Sequence, residues 1–188
     1  MRHIPNALCI LRMLLVVPVA WLLFTDNYRL TLLVFAFAAA TDGLDGFLAK
    51  RFGWTSELGK ILDPLADKIL LVGVFVTLAA LGAVPVWLAA TAVARDVVIT
   101  AGAITYKYLF GYGELQGRPT AISKVNTLGQ IIFLLLVVAA RASDFTPQLA
   151  ITALGAFVFV TTVVSGLDYV ITYSRRAVEV SRRRRGLA

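Results

Sequence analysis

Cysteine and histidine are almost missing from this chain: Cys9 and His3 are the only ones among 188 residues. A single cysteine closes no internal disulfide, and Cys9, set in an apolar run, reads as a small core residue rather than a nucleophile. His3, in the lead-in before the first apolar run, reads as an interfacial residue. Charge is scarce as well. Only 15% of the residues are charged against 59% hydrophobic, and the mean hydropathy is +0.82, too apolar for a soluble domain. The N-terminus lacks the pattern of a cleavable signal or a Ser-rich, Arg-rich transit peptide, so delivery to an organelle is not expected. No internal repeat of the kind common in transporters is present.

What is there is a series of long apolar runs. Roughly 20 apolar residues cross a bilayer, so this length allows about six helices with short loops. We therefore expect an all-α integral membrane protein: one domain over residues 1–188, a bundle of six transmembrane helices. The spans fall near residues 7–24, 29–47, 59–81, 86–106, 125–140 and 148–173. Pro5 is well placed to open the first, and the turn at 82–85 separates the third from the fourth. Net charge is +7, but the basic residues sit at the ends of apolar runs and in a tail, which is membrane topology rather than a nucleic-acid footprint. Lys50, Arg51, Lys60, Lys68, Lys107, Arg118, Lys124 and the tail fall on one side, and only Arg29 and Arg141 on the other. Both termini are therefore expected in the cytoplasm. The run 182–185, four arginines, reads as an anchor on anionic lipid, each charge contributing about 1 kcal/mol.

The chain is organised around residues 42–67, which hold Asp42, Asp45, Asp63 and Asp67 between two apolar runs. Aspartates three and four apart lie on one face of a helix, and two helices joined by a short loop bring both pairs together. Such a cluster at a membrane boundary repels itself, and desolvation would protonate some members. A divalent cation removes both penalties. With oxygen ligands alone, and no Cys or His nearby, Mg²⁺ or Mn²⁺ fits better than zinc, and phosphate chemistry is the usual purpose of such an ion. Gly46 and Ala49 sit one and two turns beyond Asp42 on the same face and leave room for a ligand. Gly43 and Gly59 allow a close backbone approach to a nucleotide or phosphate, although small residues in membrane helices also serve helix packing.

Charged residues elsewhere are fewer. Arg12, inside the first span, either snorkels to the headgroups or faces the ligand. Arg95 and Asp96 lie near the middle of the fourth span, where charge is costly and usually faces a cavity or a partner. Being neighbours about 100° apart on a helix, they are expected not to pair with each other. Arg95 is therefore expected to meet an anionic substrate, and Arg95, Arg118 and Lys124 make a plausible phosphate pocket. Asp168 has no assigned partner.

The pattern Asp42-x-x-Asp45-Gly46-x-x-Ala49-Lys50, eight residues, then Gly59-x-x-x-Asp63-x-x-x-Asp67 resembles the signature of the CDP-alcohol phosphatidyltransferase family. It departs at Lys50, where the family usually has arginine; a lysine keeps the charge and loses the planar fork. Asn6 and Arg12, in Pro5-Asn6-x-x-Cys9-x-x-Arg12, are similar to an N-terminal pattern of the family, with Cys9 where threonine is usual. The resemblance implies Asn6, Arg12, Gly46, Ala49, Lys50 and Gly59 as nucleotide-binding residues. It implies Asp42, Asp45, Asp63 and Asp67 as ligands of two Mg²⁺ or Mn²⁺ ions, with Asp67 also the general base, and a homodimer. The residues alone leave those roles undivided.

The segments 95–98 and 118–127 are similar to the cardiolipin-forming branch of the family, in which CDP-diacylglycerol and phosphatidylglycerol give cardiolipin and CMP. Branches that use glycerol 3-phosphate as the acceptor would show much the same basic pocket. A reading from another class is a small membrane transporter, suggested by buried Arg95, Asp96 and Asp168. A scaffold leaves the aspartate cluster unexplained.

Overall fold

The computed structural model describes the backbone of residues 4–52, 59–110, 120–143 and 147–184, and side chains over 10–41, 66, 68–102, 120–143, 147–172 and 174. Among the described residues there are six helices and no strand. They are α1 (Ile4–Phe24), α2 (Tyr28–Phe52), α3 (Gly59–Ala80), α4 (Val86–Phe110), α5 (Ala121–Ala142) and α6 (Gln148–Arg184). Each expected apolar run lies within one helix, apart from a residue at the end of the third. Two stretches, Ala121–Ala142 and Gln148–Thr172, are long and apolar enough to cross a membrane, and Ile10–Phe24, Tyr28–Thr41 and Lys68–Ala80 are shorter apolar helical stretches.

Two turns at one end of the bundle are built alike. Gly82 adopts φ +67°, and the amides of Gly82 and Ala83 donate to Ala79 O and Leu78 O at 3.0 and 2.9 Å. This left-handed cap satisfies the last carbonyls of α3. Asp26 does the same for α1 at φ 56°; Asp26 N and Asn27 N reach Leu23 O and Leu22 O. Its carboxylate also accepts from Tyr28 Oη at 2.8 Å, a local hydrogen bond that offsets the cost of a left-handed non-glycine residue. At the opposite end, Thr120 caps α5, its hydroxyl accepting from Ser123 N. The helix thus opens at Ala121, four residues ahead of the expected span. Likewise α2 runs on through Lys50 to Phe52, beyond the expected end of its span near residue 47.

The most extensive packing is α1 on α3; α1 also meets α2, α5 meets α2 and α6, and α4 packs on α6 and α3. Phe75 of α3 stacks with Phe133 of α5 at 6.2 Å between ring centres, inside a core that includes Val19, Leu23, Phe35 and Leu134. The outer surface is apolar: Leu14, Val17, Trp21, Leu33, Phe37, Leu149 and Leu167 are all exposed. Arg12, Arg95, Asp96, Asn126, Gln130 and Ser165 are buried. Polar groups inside and apolar groups outside invert the arrangement of a water-soluble bundle.

One contact sets how α1 and α3 lie together. A Cβ added at Gly73 would stand 2.6 Å from Val16 Cγ1, and valine is stiff at χ1. Gly73→Ala is therefore expected to destabilise the protein by about 1–3 kcal/mol through overpacking, seen as a lower midpoint of thermal denaturation. Val16→Ala in the same chain should recover most of that loss. A Gly73→Ala protein as stable as the parent would mean that this contact does not constrain the pair.

Candidate functional site

The backbone places the aspartates as the spacing requires. Asp42 and Asp45 lie on the later turns of α2, and Asp63 and Asp67 on the first turns of α3. The link between α2 and α3 is short, so both pairs come to the same end of the bundle. Gly46, Ala49 and Lys50 follow on α2, and Gly59 opens α3. The side chains of Asp42, Asp45, Asp63 and Asp67 lie outside the described residues, as does that of Lys50. Arg118 lies outside them altogether.

On α1, Asn6 and Arg12 share the helix with Val16, Val19 and Leu23. Arg12, Val16, Val19 and Leu23 recur at the spacing of one face. Arg12 is buried, with 2% exposure, so it does not snorkel outward. Val16 abuts Gly73 of α3, so Arg12, one turn earlier on the same face of α1, lies on the side of α1 that packs on α3. The side chain of Asn6 lies outside the described residues.

The described side chains that converge best are on α3 to α6. Asp96 Oδ1 accepts from Arg95 Nη1 at 2.6 Å and from Lys68 Nζ at 3.3 Å. Lys68 Nζ also lies 3.4 Å from Asp96 O and 3.3 Å from Thr100 Oγ1. Arg95 Nη2 donates to Ser123 Oγ at 2.5 Å and Ser165 Oγ at 2.7 Å. One guanidinium therefore ties α4 to α5 and α6, and one carboxylate ties α4 to α3. The expectation that Arg95 and Asp96 would not pair is overturned. The 100° between neighbours separates Cβ directions, but the long arginine stem folds its head back across that angle. Among the described residues two cations face this carboxylate, and Arg95 Nε is buried with no hydrogen-bond partner among them. Lys124, exposed in the first turn of α5, adjoins Ser123 and brings a further cation to this corner.

A second polar group lies farther along α5. Asn126 is fully buried, and its Oδ1 accepts from Thr161 Oγ1 and Thr162 Oγ1 at 2.9 and 2.8 Å. Asn126 Nδ2 and Gln130 Nε2, one turn apart, are buried with no hydrogen-bond partner among the described residues. Sequence reasoning missed both this group and the Lys68–Asp96 link. The usable signal for the second was a carboxylate deep in an apolar helix, which requires a cation, together with a lysine directly after Asp67.

The sequence profile of CDP-alcohol phosphatidyltransferases matches residues 2–181. The chain belongs to the CDP-alcohol phosphatidyltransferase family. Among relatives, the human cardiolipin synthase (CMP-forming) is 34% identical over 94% of this chain, and the rat protein of that name 32% over 94%. The chain spans 63% of the length of each. A CDP-diacylglycerol–glycerol-3-phosphate 3-phosphatidyltransferase of Pseudomonas fluorescens is 36% identical over 73% of this chain and 72% of its own length. The family match covers α1 to α5 and most of α6, so the aspartates of α2 and α3 and the Lys68–Asp96–Arg95 cluster all fall within it.

Proposed function

We propose that this protein catalyses phosphatidyl transfer from CDP-diacylglycerol to the glycerol hydroxyl of phosphatidylglycerol, forming cardiolipin and CMP. The observation that carries the reading is the signature of four aspartates, set by the backbone on successive helices at one end of the bundle, in a chain similar throughout to cardiolipin synthases. In this reading the six helices all cross the membrane, the apolar outer face meets lipid, and the aspartate end and both termini face the cytoplasm. A 37-residue α6 is about 55 Å long, well beyond a hydrocarbon core of about 30 Å. Its last turns therefore carry Arg175, Arg176 and the basic run out to the headgroups. Pairing of two copies belongs to the same proposal.

Four carboxylates with no nitrogen or sulfur ligand fit Mg²⁺ or Mn²⁺ by donor chemistry. Asp42, Asp45, Asp63 and Asp67 would hold two such ions, which when bound neutralise the pyrophosphate and the charge that grows as its bond breaks. Asn6, Arg12 and Lys50, with the small residues Gly46, Ala49 and Gly59, seat the cytidine nucleotide. Arg95, Arg118 and Lys124 attract the acceptor's phosphate, an assignment supported by Lys124, exposed in the first turn of α5 beside Ser123, to which Arg95 is bonded. Asp67 accepts the proton of the attacking hydroxyl. The new bond joins that oxygen to the phosphatidyl phosphorus, the pyrophosphate bond breaks, and CMP leaves.

A second reading keeps this chemistry with glycerol 3-phosphate as acceptor, favoured by the Pseudomonas relative, most of whose length the chain covers. Purified protein given CDP-diacylglycerol and Mg²⁺, with phosphatidylglycerol and glycerol 3-phosphate in separate reactions, decides between them. Cardiolipin from phosphatidylglycerol alone is expected. Phosphatidylglycerophosphate as the sole product would overturn the choice of acceptor.

A further inference from the structure

Lys68 follows Asp67 directly on α3, yet its ammonium reaches across to α4, where Asp96 Oδ1, Asp96 O and Thr100 Oγ1 lie within 3.3–3.4 Å. Asp96, almost wholly buried at 6% exposure, is held in turn by Arg95, and Arg95 by Ser123 and Ser165. The turn of α3 that bears Asp67 is thus fastened, through one carboxylate, to three other helices.

Such fastening matters because of the tolerances involved. Rotating a helix by about 20° carries an atom roughly 6 Å from its axis through about 2 Å. Mg²⁺ demands near-ideal geometry at about 2.0–2.1 Å, so a helix free to turn by that amount cannot keep its ligands in register. Apolar packing holds the face of α3 that meets α1, as at Gly73 and Val16, and the turn at Lys68 is held toward α4 by a polar link. The half-buried Lys68 adds a directional restraint there, because turning α3 would draw its ammonium away from the buried Asp96 carboxylate.

We propose that Asp96 is a positioning residue: through Lys68 it fixes the rotation of α3 at Asp67, and through Arg95 it fixes α4 against α5 and α6. The inference rests on the metal-dependent reading above and assigns no contact between Asp96 and substrate or ion. It predicts that Lys68 acts by geometry. Its charge acts the other way, since a cation beside the aspartates opposes binding of another cation.

That opposition makes the test sharp. Mn²⁺ binding to the purified full chain is measured by electron paramagnetic resonance of the free ion, for the parent, Lys68→Met, Lys68→Arg, Asp96→Asn and the Lys68→Met/Asp96→Asn double variant. Lys68→Met is expected to weaken Mn²⁺ by about 10-fold, the low end of what outer-shell partners of a metal site contribute, and Lys68→Arg to recover part of the loss. The double variant should bind no worse than the weaker single one, because both changes cut the same link. Unchanged or tighter Mn²⁺ binding in Lys68→Met, or losses that simply add in the double variant, would overturn the inference while leaving the proposed function standing. A parent protein that binds no Mn²⁺ would instead overturn the metal-dependent reading, and this inference with it. Should Asp96→Asn fail to fold, Lys68→Met, which removes only one arm and leaves the Arg95–Asp96 pair intact, decides alone.

Discussion

Asp67→Asn is expected to lower turnover by about 10²–10⁴-fold, the usual contribution of a positioned general base, with the affinity for CDP-diacylglycerol largely preserved. Asparagine keeps the size and the hydrogen-bonding reach of the aspartate on the first turns of α3 but takes no proton at neutral pH. The other three carboxylates remain to hold metal and, through it, the pyrophosphate. Single-turnover CMP release checks the rate, and equilibrium binding of the CDP-lipid checks the affinity. Full activity in this variant would remove the base from Asp67. Loss of CDP-lipid binding equal to the loss of rate would make Asp67 a metal ligand alone.

Arg95→Ala is expected to act on the fold and on the acceptor together. Removing one partner of a buried charged pair costs about 3–5 kcal/mol. Here it also strands the hydroxyls of Ser123 and Ser165, both bonded to the guanidinium. Lys68 still faces Asp96, so the lower end of that range is expected, about 3 kcal/mol, read as a depressed denaturation midpoint. Arg95→Lys should recover little, since one ammonium cannot span Asp96 and two serines as the planar fork does. In steady-state kinetics the acceptor requirement should rise more than the CDP-lipid requirement. An unchanged acceptor requirement would make Arg95 a structural tie only, and unchanged stability would deny it even that role.

Much of the fold was legible because its signals are local. Gly82 and Pro85 bracket the α3–α4 turn, Gly59 opens α3, and each apolar run marks one helix. The aspartate spacing likewise needs only helical periodicity to be read. What escaped was whatever depends on two helices at once. Arg95 finds its serines 28 and 70 residues away, and Asn126 finds its threonines 35 and 36 residues away. Neither pairing leaves a mark in any short window. The pairing of Arg95 with Asp96 was misjudged for a different reason. Helical geometry separates neighbouring Cβ atoms, but burial forces a flexible arginine to its nearest carboxylate, whatever the angle. The extension of α2 through Lys50 to Phe52 was missed because charged residues suggest a loop, although straight-chain lysine and arginine are good helix formers.

The central claim is that the carboxylates of α2 and α3 hold a divalent cation that drives phosphatidyl transfer. It is tested most directly by following CMP released from CDP-diacylglycerol by the purified protein, with phosphatidylglycerol present, before and after chelation by EDTA. CMP release that needs both acceptor and metal, stops on chelation and returns with added Mg²⁺ or Mn²⁺ is the expected result. CMP release that continues undiminished after chelation would contradict the claim.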